Sequence, residues 1–354
     1  MKELEVFIVF LAFSWLLINL LYKVYLRRYK SISIKYGVLF MWRRSSSVKP
    51  GKIISKIYPL WIALYIIALG LTIYTVILAI YVKFVYKTPA AVILIPGISV
   101  TGIDLLFMLT AIFISVLAHE YMHAKVATSR NIKMKGFGIL VALLIPLAFI
   151  ELDEESFEST SKFNKIVVLA AGVAANMFLY LIAMLVIYNL TQNVGLLVIS
   201  VSRGSLAEEY GIRPYDIILA VNGTELKSIS ILRDFMSIHE NTVLKFTVWR
   251  FGSGYKEIAV FKPANITILG ISATIAPRLE AASILTPLIT LHLITFITWL
   301  YIVNFSLALI NSMPLYITDG GKIANIVLGE KGGKIANILG ITLLALLLAS
   351  SRIP

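Results

Sequence analysis

Long apolar runs constrain the fold of this chain more than any other feature of its sequence. A helix needs about 20 apolar residues, at 1.5 Å each, to cross the ~30 Å hydrocarbon core of a bilayer. Runs of this kind occupy residues 5–24, 59–82, 103–124, 164–190, 286–312 and 334–350. Only 14% of the 354 residues are charged, against about a quarter in soluble domains. We therefore expect an α-helical polytopic membrane protein with about six transmembrane helices.

Basic residues are concentrated between the first two apolar runs. The formal net charge is +13, and the stretch 22–58 contains no Asp or Glu. Its cations are Lys23, Arg27, Arg28, Lys30, Lys35, Arg43, Arg44, Lys49, Lys52 and Lys56. We interpret this stretch as a cytoplasmic loop at the lipid surface rather than as a nucleic-acid-binding patch. The first run could imitate a signal peptide, but the basic residues that follow it favour a spanning helix.

This orientation predicts where the remaining segments lie. Four cations follow the third run and place its end in the cytoplasm; they are Lys125, Arg130, Lys133 and Lys135. Residues 195–263 carry charges of both signs, alternating apolar residues and turn signals, which are typical of a small β-rich domain. Counting the spans puts this insert outside the cytoplasm of a protein that we expect in the cell membrane.

We expect four segments along the chain. Residues 1–102 hold the first two helices and the basic loop. Residues 103–194 hold two more helices and a segment at 136–150 that is too short to span, which favours a re-entrant hairpin. The β-rich insert follows at 195–263, and residues 264–354 return to the membrane.

The third run carries a metal-binding pattern, His-Glu-Tyr-Met-His at 119–123. Its spacing puts His119 and His123 one above the other on a helix, so that both imidazoles reach one ion, and leaves Glu120 free to act as a general base. Such a pattern also arises by chance in helices. Inside a span, however, each ionisable residue costs about 2.5–3.5 kcal/mol, so three together indicate a function.

A catalytic zinc site normally has three protein ligands and an open position. The chain has no cysteine, so the third ligand must be an imidazole or a carboxylate. Asp319 is the best candidate, because Pro314 ends the preceding apolar helix and glycines permit a turn beside it. Asp104 is a competitor, but it lies about four turns before His119. Asp319 could instead be an ordinary N-cap of the next helix.

Three motifs together resemble those of the site-2 protease family of membrane metalloproteases. They are His119-Glu120-x-x-His123, Gly172-x-x-x-Asn176 and Asn311-x-x-Pro314-x-x-x-x-Asp319-Gly320, and their order and spacing match the family core over roughly residues 103–325. The resemblance implies that His119, His123 and Asp319 bind zinc and that Glu120 is the catalytic base. It also implies that Asn311 contacts the substrate backbone. Thr318 departs from the Leu or Met that the family usually has before its Asp-Gly.

The insert resembles PDZ domains of bacterial and archaeal proteases. The resemblance rests on the stretches 201–207, 211–218 and 221–223. PDZ domains add an extended peptide to a strand edge or hold a carboxylate terminus, so peptide termini are expected partners, with residues 195–198 as the candidate binding loop. The alternative is that the insert only shields the membrane body.

We therefore interpret the chain as a zinc-dependent intramembrane endopeptidase that acts in regulated intramembrane proteolysis. Its substrates would be transmembrane segments that unwind and present their backbone to Asn176, Asn311 and the segment 136–150. A metal transporter is the first alternative, since histidines and carboxylates in spans also mark ion pathways. An inactive scaffold that holds membrane proteins through the insert is the second.

Overall fold

A computed structural model describes residues 2–89 and 91–352. Its helices are α1 (Lys2–Val24), α2 (Lys52–Lys56), α3 (Tyr58–Tyr86), α4 (Gly102–Ser129), α5 (Glu154–Glu158), α6 (Lys162–Leu190), α7 (Leu206–Glu209), α8 (Ile229–Ser237), α9 (Leu279–Leu285), α10 (Pro287–Ser312) and α11 (Asp319–Ser350). Its strands are β1 (Ile32–Lys35), β2 (Leu39–Arg44), β3 (Ala91–Val92), β4 (Met134–Ala142), β5 (Ile145–Leu152), β6 (Thr191–Val201), β7 (Ile217–Val221), β8 (Thr224–Glu225), β9 (Thr242–Arg250), β10 (Gly254–Lys262), β11 (Ile271–Pro277) and β12 (Ser351–Arg352).

Five helices within the described residues are long and apolar enough to cross a membrane: α3, α4, α6, α10 and α11. The first predicted run forms a shorter apolar helix at Ile8–Val24. The last predicted run, 334–350, is the second part of α11, which already begins at Asp319. A mostly helical membrane protein is therefore confirmed, whereas the number of six spans stays a prediction.

Small side chains let the helices of the first compact unit, Met1–Ile182 with Trp299–Pro354, pack closely. Ala170, Ala171 and Ala174 of α6 are fully buried in a cluster with residues of α3 and α4, such as Ala68 and Ala127. Helix surfaces rich in Ala and Gly allow backbones to approach, which favours association inside a membrane. This packing places α6 directly beside the helix that carries the His-Glu-Tyr-Met-His pattern.

A four-stranded antiparallel sheet belongs to the same unit, in the order β1-β2-β4-β5. The predicted re-entrant segment forms the β4–β5 hairpin, in which Val141 pairs with Pro146. The predicted basic loop supplies β1 and β2, and β2 pairs with β4 from Leu39↔Ala142 to Arg44↔Phe137. The N-terminal segment, which lies outside the sequence resemblance, thus extends the sheet by two strands.

Helix α1 is held against the turns of both hairpins. The buried indole of Trp15 donates from Nε1 to the Leu143 carbonyl at 3.0 Å. Asn19 Nδ2 donates to the Gly37 carbonyl at 2.7 Å. Both acceptors are backbone carbonyls in the turns between paired strands, where the ladder of the sheet supplies no hydrogen-bond donor. The first helix is therefore part of the body that contains the sheet.

Helix α11 reverses direction at Gly329, where the backbone has φ 72° and ψ 176°. The reversal packs together the two copies of Gly-Gly-Lys-Ile-Ala-Asn, at 320–325 and 332–337. A Cβ added to Gly321 would overlap the Leu315 carbonyl oxygen and lie 2.6 Å from Asn337 Oδ1, and one added to Gly333 would lie 2.6 Å from Asn325 Cα. The two amides also meet, with Asn337 Nδ2 donating to Asn325 Oδ1 at 3.2 Å. The second glycine of each copy thus packs against the asparagine of the other copy. This mutual packing is a physical reason for the repetition.

The second compact unit, Ala183–Thr298, contains the predicted insert and extends beyond it on both sides. Its antiparallel sheet has the order β10-β9-β7-β6-β11, with β8 beside β7. The suggestion that residues 195–198 form a peptide-binding loop is wrong, because they lie inside β6. Leu196 and Leu197 pair with β7 on one side and β11 on the other, so the backbone there is already occupied.

Candidate metal centre and active site

Three predicted ligands from two distant parts of the chain converge in the first unit. His119 Nε2 and His123 Nε2 are 3.0 Å apart, and each lies 3.1 Å from Asp319 Oδ2. All three residues are 7% exposed. Within the part of the chain that the structure describes, they form the group of His and carboxylate residues that could hold a metal ion.

The size of this triangle fits a zinc ion. Zinc lies about 2.0–2.2 Å from imidazole nitrogens and carboxylate oxygens. Three atoms separated by 3.0–3.1 Å can all lie at that distance from one point slightly outside their plane. Three ligands on one side leave a further position open, which is the arrangement of catalytic rather than structural zinc sites.

The other nitrogen of each imidazole has an acceptor. His119 Nδ1–H donates to Asn176 Oδ1 at 2.6 Å, and His123 Nδ1–H donates to the Val168 carbonyl at 2.7 Å. A neutral imidazole with its proton on Nδ1 has a lone pair on Nε2. The two Nε2 atoms and the Asp319 carboxylate are then three acceptors facing one another with no hydrogen between them. A bound cation stabilises such an arrangement.

Gly172 of α6 lies directly against the two imidazoles. A Cβ at this position would be 2.6 Å from His123 Cε1 and 2.8 Å from His119 Nε2, and closer still to His123 Nε2. Any larger residue would therefore displace the ligands. Asn176, one turn further along α6, is the residue that holds His119. The Gly172-x-x-x-Asn176 motif thus builds one wall of the metal centre, because residues at i and i+4 share a helix face.

Thr318, rather than Asp319, is the N-cap of α11. Its Oγ1 accepts a hydrogen bond from the Gly321 N–H at 3.3 Å, and its φ and ψ of −93° and 164° are extended, as an N-cap requires. Asp319 is the first residue of the helix, and its carboxylate reaches the histidines instead. The threonine that departs from the family pattern therefore caps the helix that presents the third ligand.

Glu120 is tied to the sheet. Its Oε2 accepts a hydrogen bond from the Ile150 N–H of β5 at 3.1 Å. The same residue lines a cavity of about 890 Å³ together with the three ligands and Asn311. Charged side chains also line this cavity, namely Lys135, Glu151, Glu154, Glu158, Lys165 and Lys322. The candidate base and the ligands therefore face one space whose polar wall can hold water.

The two predicted substrate contacts, Asn311 and Asn176, differ in whether a substrate can reach them. Asn311 lines the cavity, where a substrate could reach it. Asn176 is fully buried and its amide already bonds to His119, Ser115 and Asn304. The competing carboxylate, Asp104, accepts a hydrogen bond from Trp299 Nε1 at 2.8 Å and is not in the ligand group.

Sequence reasoning missed two residues of this site. Asn304 is fully buried and bonds to Asn176, and Ile150 holds Glu120 through its backbone. A polar residue inside the apolar run 286–312 could have drawn attention to Asn304. No sequence signal marks a backbone N–H.

Comparison with known proteins agrees with this geometry. The model of peptidase family M50 matches residues 107–349, which is more than half of the chain. An uncharacterized protein of Methanocaldococcus jannaschii, MJ0971, is 28% identical over 229 residues. That match covers 61% of this chain and 55% of the relative, so the chain spans about half the length of that relative. The family match includes every predicted ligand, and the chain belongs to peptidase family M50, the site-2 protease family.

Proposed function

We propose that this protein is a zinc-dependent endopeptidase that hydrolyses peptide bonds within transmembrane segments, as in regulated intramembrane proteolysis. The observation that carries the proposal is the convergence of His119, His123 and Asp319 among helices long and apolar enough to span a membrane, of which α4 carries both histidines. At 1.5 Å per residue, roughly 7.5 Å of helix separates His119 from the end of the apolar run at residue 124. A centre at that depth suits a bond inside the bilayer.

Each residue of the site has one task in this reaction. His119, His123 and Asp319 hold the metal, and zinc when bound is a Lewis acid that makes water more acidic and polarises a peptide carbonyl. Glu120 takes a proton from the attacking water and passes it to the leaving amine. The Ile150 N–H holds the Glu120 carboxylate in place. Water reaches these groups through the charged part of the cavity.

The outer edge of β5 offers a binding place for an unwound substrate. Backbone groups of alternate residues in an antiparallel strand point to opposite sides. Since the Ile150 N–H points to Glu120, away from β4, the backbone groups of Ala148 point the same way. Pro146, two residues before Ala148, also faces this outer side. Proline has no N–H to donate to a neighbouring strand, and it is therefore tolerated at the edge of a sheet. A substrate strand that adds here would lie beside the metal centre, with Asn311 as a further polar contact.

The contact between α1 and the β4–β5 turn supports a membrane location for that hairpin. Trp15 lies near the middle of the apolar helix Ile8–Val24 and bonds to Leu143. If α1 spans the bilayer, the turn at Leu143 lies at membrane depth, as a re-entrant segment would. Strand β4 is paired on both sides, and the outer edge of β5 lines the cavity at Ile150, which makes such a location tolerable.

The insert is the proposed partner-binding part of the protein. We assign it to the extracytoplasmic side of the cell membrane, with the metal centre nearer the cytoplasm, on the basis of the basic residues in the stretch 22–58. Its PDZ-like role is to bind peptide termini. The strand β11, which follows the insert within the second compact unit, ends the sheet order and replaces residues 195–198 as the candidate edge for peptide addition.

Glu120→Gln tests the proposal. The variant should bind zinc like the wild type, because Glu120 is not a ligand, and should cleave a membrane-embedded substrate about 10²- to 10⁴-fold more slowly. Glu280→Gln, an exposed glutamate of α9, is the matched control and should cleave normally. Undiminished cleavage by Glu120→Gln would remove the base assignment. Zinc uptake into proteoliposomes without cleavage would favour the metal-transporter alternative. A cellular role that persists after the metal is removed by a chelator would favour the inactive-scaffold alternative.

A further inference from the structure

A chain of buried amides connects α10 to the metal centre. Asn304 Nδ2 donates to the Leu300 carbonyl at 2.9 Å. Asn304 Oδ1 accepts a hydrogen bond from Asn176 Nδ2 at 3.0 Å, and Asn176 Oδ1 accepts one from His119 Nδ1–H at 2.6 Å. Both asparagines are fully buried. The chain therefore connects three helices, from α10 through α6 to α4, by way of two fully buried amides.

The direction of every bond in this chain is fixed at its ends. A backbone carbonyl only accepts hydrogen bonds, so the NH₂ group of Asn304 must point to Leu300 and its oxygen to Asn176. The NH₂ group of Asn176 has two acceptors, Asn304 Oδ1 and the Ser115 carbonyl, the latter at 3.2 Å. Asn176 must then turn its oxygen toward His119.

This orientation decides which nitrogen of His119 carries the proton. An oxygen at Asn176 accepts from Nδ1–H and leaves the lone pair on Nε2, the atom that faces Asp319. The reversed amide would present NH₂ to Nδ1. The proton of the neutral ring would then move to Nε2, where it would block metal binding.

We infer that Asn304 is a positioning residue for the metal centre: together with the Ser115 carbonyl it holds the NH₂ group of Asn176, and loss of its shorter bond would loosen the amide that sets the tautomer of His119. This inference rests on the zinc site of the proposed function. Asn304 bonds to Asn176 and Leu300 and acts on the ligand only through Asn176. The direct hydrogen-bond partner of a ligating histidine, here Asn176, typically affects metal affinity about 10- to 100-fold, so a variant that turns the Asn176 amide should lose about 10-fold or more.

Asn304→Thr is the most selective test. Thr295 and Thr298 of α10 already donate to carbonyls four residues earlier, at 2.9 and 2.8 Å. A threonine hydroxyl at 304 can make the same bond to Leu300 but is too short to accept from Asn176. Asn304→Asp is the conservative variant, because a neutral carboxyl group can donate to Leu300 and accept from Asn176. Thr298→Val is the control for loss of one side-chain bond within α10.

Two measurements on the full-length protein in detergent read out the effect. The chain has four histidines, so ¹⁵N-histidine labelling gives few signals, and His119→Gln assigns the one of interest. In the metal-free protein, Asn304→Thr should shift His119 toward the Nε2–H tautomer, while Asn304→Asp and Thr298→Val should resemble the wild type. The zinc dissociation constant, from competition with a chelator, should rise about 10-fold or more in Asn304→Thr alone.

The outcomes separate this inference from the proposed function. Unchanged His119 signals in Asn304→Thr, with zinc affinity within about twofold of the wild type, would overturn the positioning role. An equal loss of affinity in Thr298→Val would also overturn it, since the effect would then belong to α10 in general. A wild-type protein that binds no zinc would overturn the proposed function, whereas the tautomer comparison would still test Asn304.

Discussion

The carboxylate of Glu120 and the backbone N–H of Ile150 are joined by a hydrogen bond of 3.1 Å. This bond connects the candidate general base on α4 with the edge strand β5. It uses an N–H that points away from β4, so it costs the sheet no ladder bond. The strand that would bind a substrate backbone thus also holds the carboxylate that would take a proton from the attacking water.

Ile150→Pro should slow cleavage and leave the fold intact. Proline removes the N–H that holds Glu120 and is tolerated on an edge strand. A hydrogen bond to a charged group contributes about 1.5–3 kcal/mol, so we expect kcat to fall about 10-fold or more with zinc content unchanged. Phe149→Pro is the control, because the Phe149 N–H points toward β4 and its loss should lower the unfolding temperature. Equal effects of the two variants would show that Ile150 acts only through the sheet.

Gly172→Ala should weaken zinc binding. The added Cβ would lie 2.6 Å from His123 Cε1 and 2.8 Å from His119 Nε2, so the imidazoles must move apart, and we expect a loss of affinity of about 10-fold or more. Zinc titration of the purified protein measures it. Gly70→Ala of α3 is the matched control, since no atom lies within 4 Å of its added Cβ, and it should stabilise the helix by up to about 1 kcal/mol. Normal zinc affinity in Gly172→Ala would contradict the close approach of α6 to the imidazoles.

Gly321→Ala and Gly333→Ala should both destabilise the protein, because each glycine packs against an asparagine of the other hexapeptide copy and Gly321 packs still closer against the Leu315 carbonyl. Overpacking of this kind typically costs about 1–3 kcal/mol. Gly321→Ala should in addition weaken zinc binding, since Gly321 lies in the first turn of α11 beside Asp319. Thermal unfolding and zinc titration of the two variants, again beside Gly70→Ala, measure these effects. A Gly333→Ala variant as stable as the wild type would argue against the paired packing, because only Asn325 lies against that glycine among its nearest atoms.

Single cysteines can test the proposed orientation, because the chain has none of its own. Ser46 lies in the basic loop and Ser253 in the turn between β9 and β10, and both are exposed. In intact cells a membrane-impermeant maleimide should label Ser253→Cys, and it should label Ser46→Cys only after the membrane is opened. The reverse pattern would invert the topology. Labelling of both sites in intact cells would indicate a leaky preparation, which the cysteine-free parent and a cytoplasmic marker protein would reveal.

The sequence by itself determined the features that depend on neighbouring residues. Membrane-spanning length is a property of one apolar run. The i and i+4 spacing of His119 and His123 follows from the geometry of a single helix. Asp319 was predicted as the third ligand because Pro314 ends the preceding apolar helix and glycines beside it permit a turn, and the family match covers all three predicted ligands.

Only the tertiary structure decided which groups meet across the chain. The contacts of Gly172 with the imidazoles, of Ile150 with Glu120 and of Asn304 with Asn176 join elements far apart in sequence. The pairing of β2 with β4, and of β6 with β7 and β11, also joins segments that are far apart in sequence. Local patterns carry no information about such partners, because helix packing and strand register are set by the fit of whole surfaces.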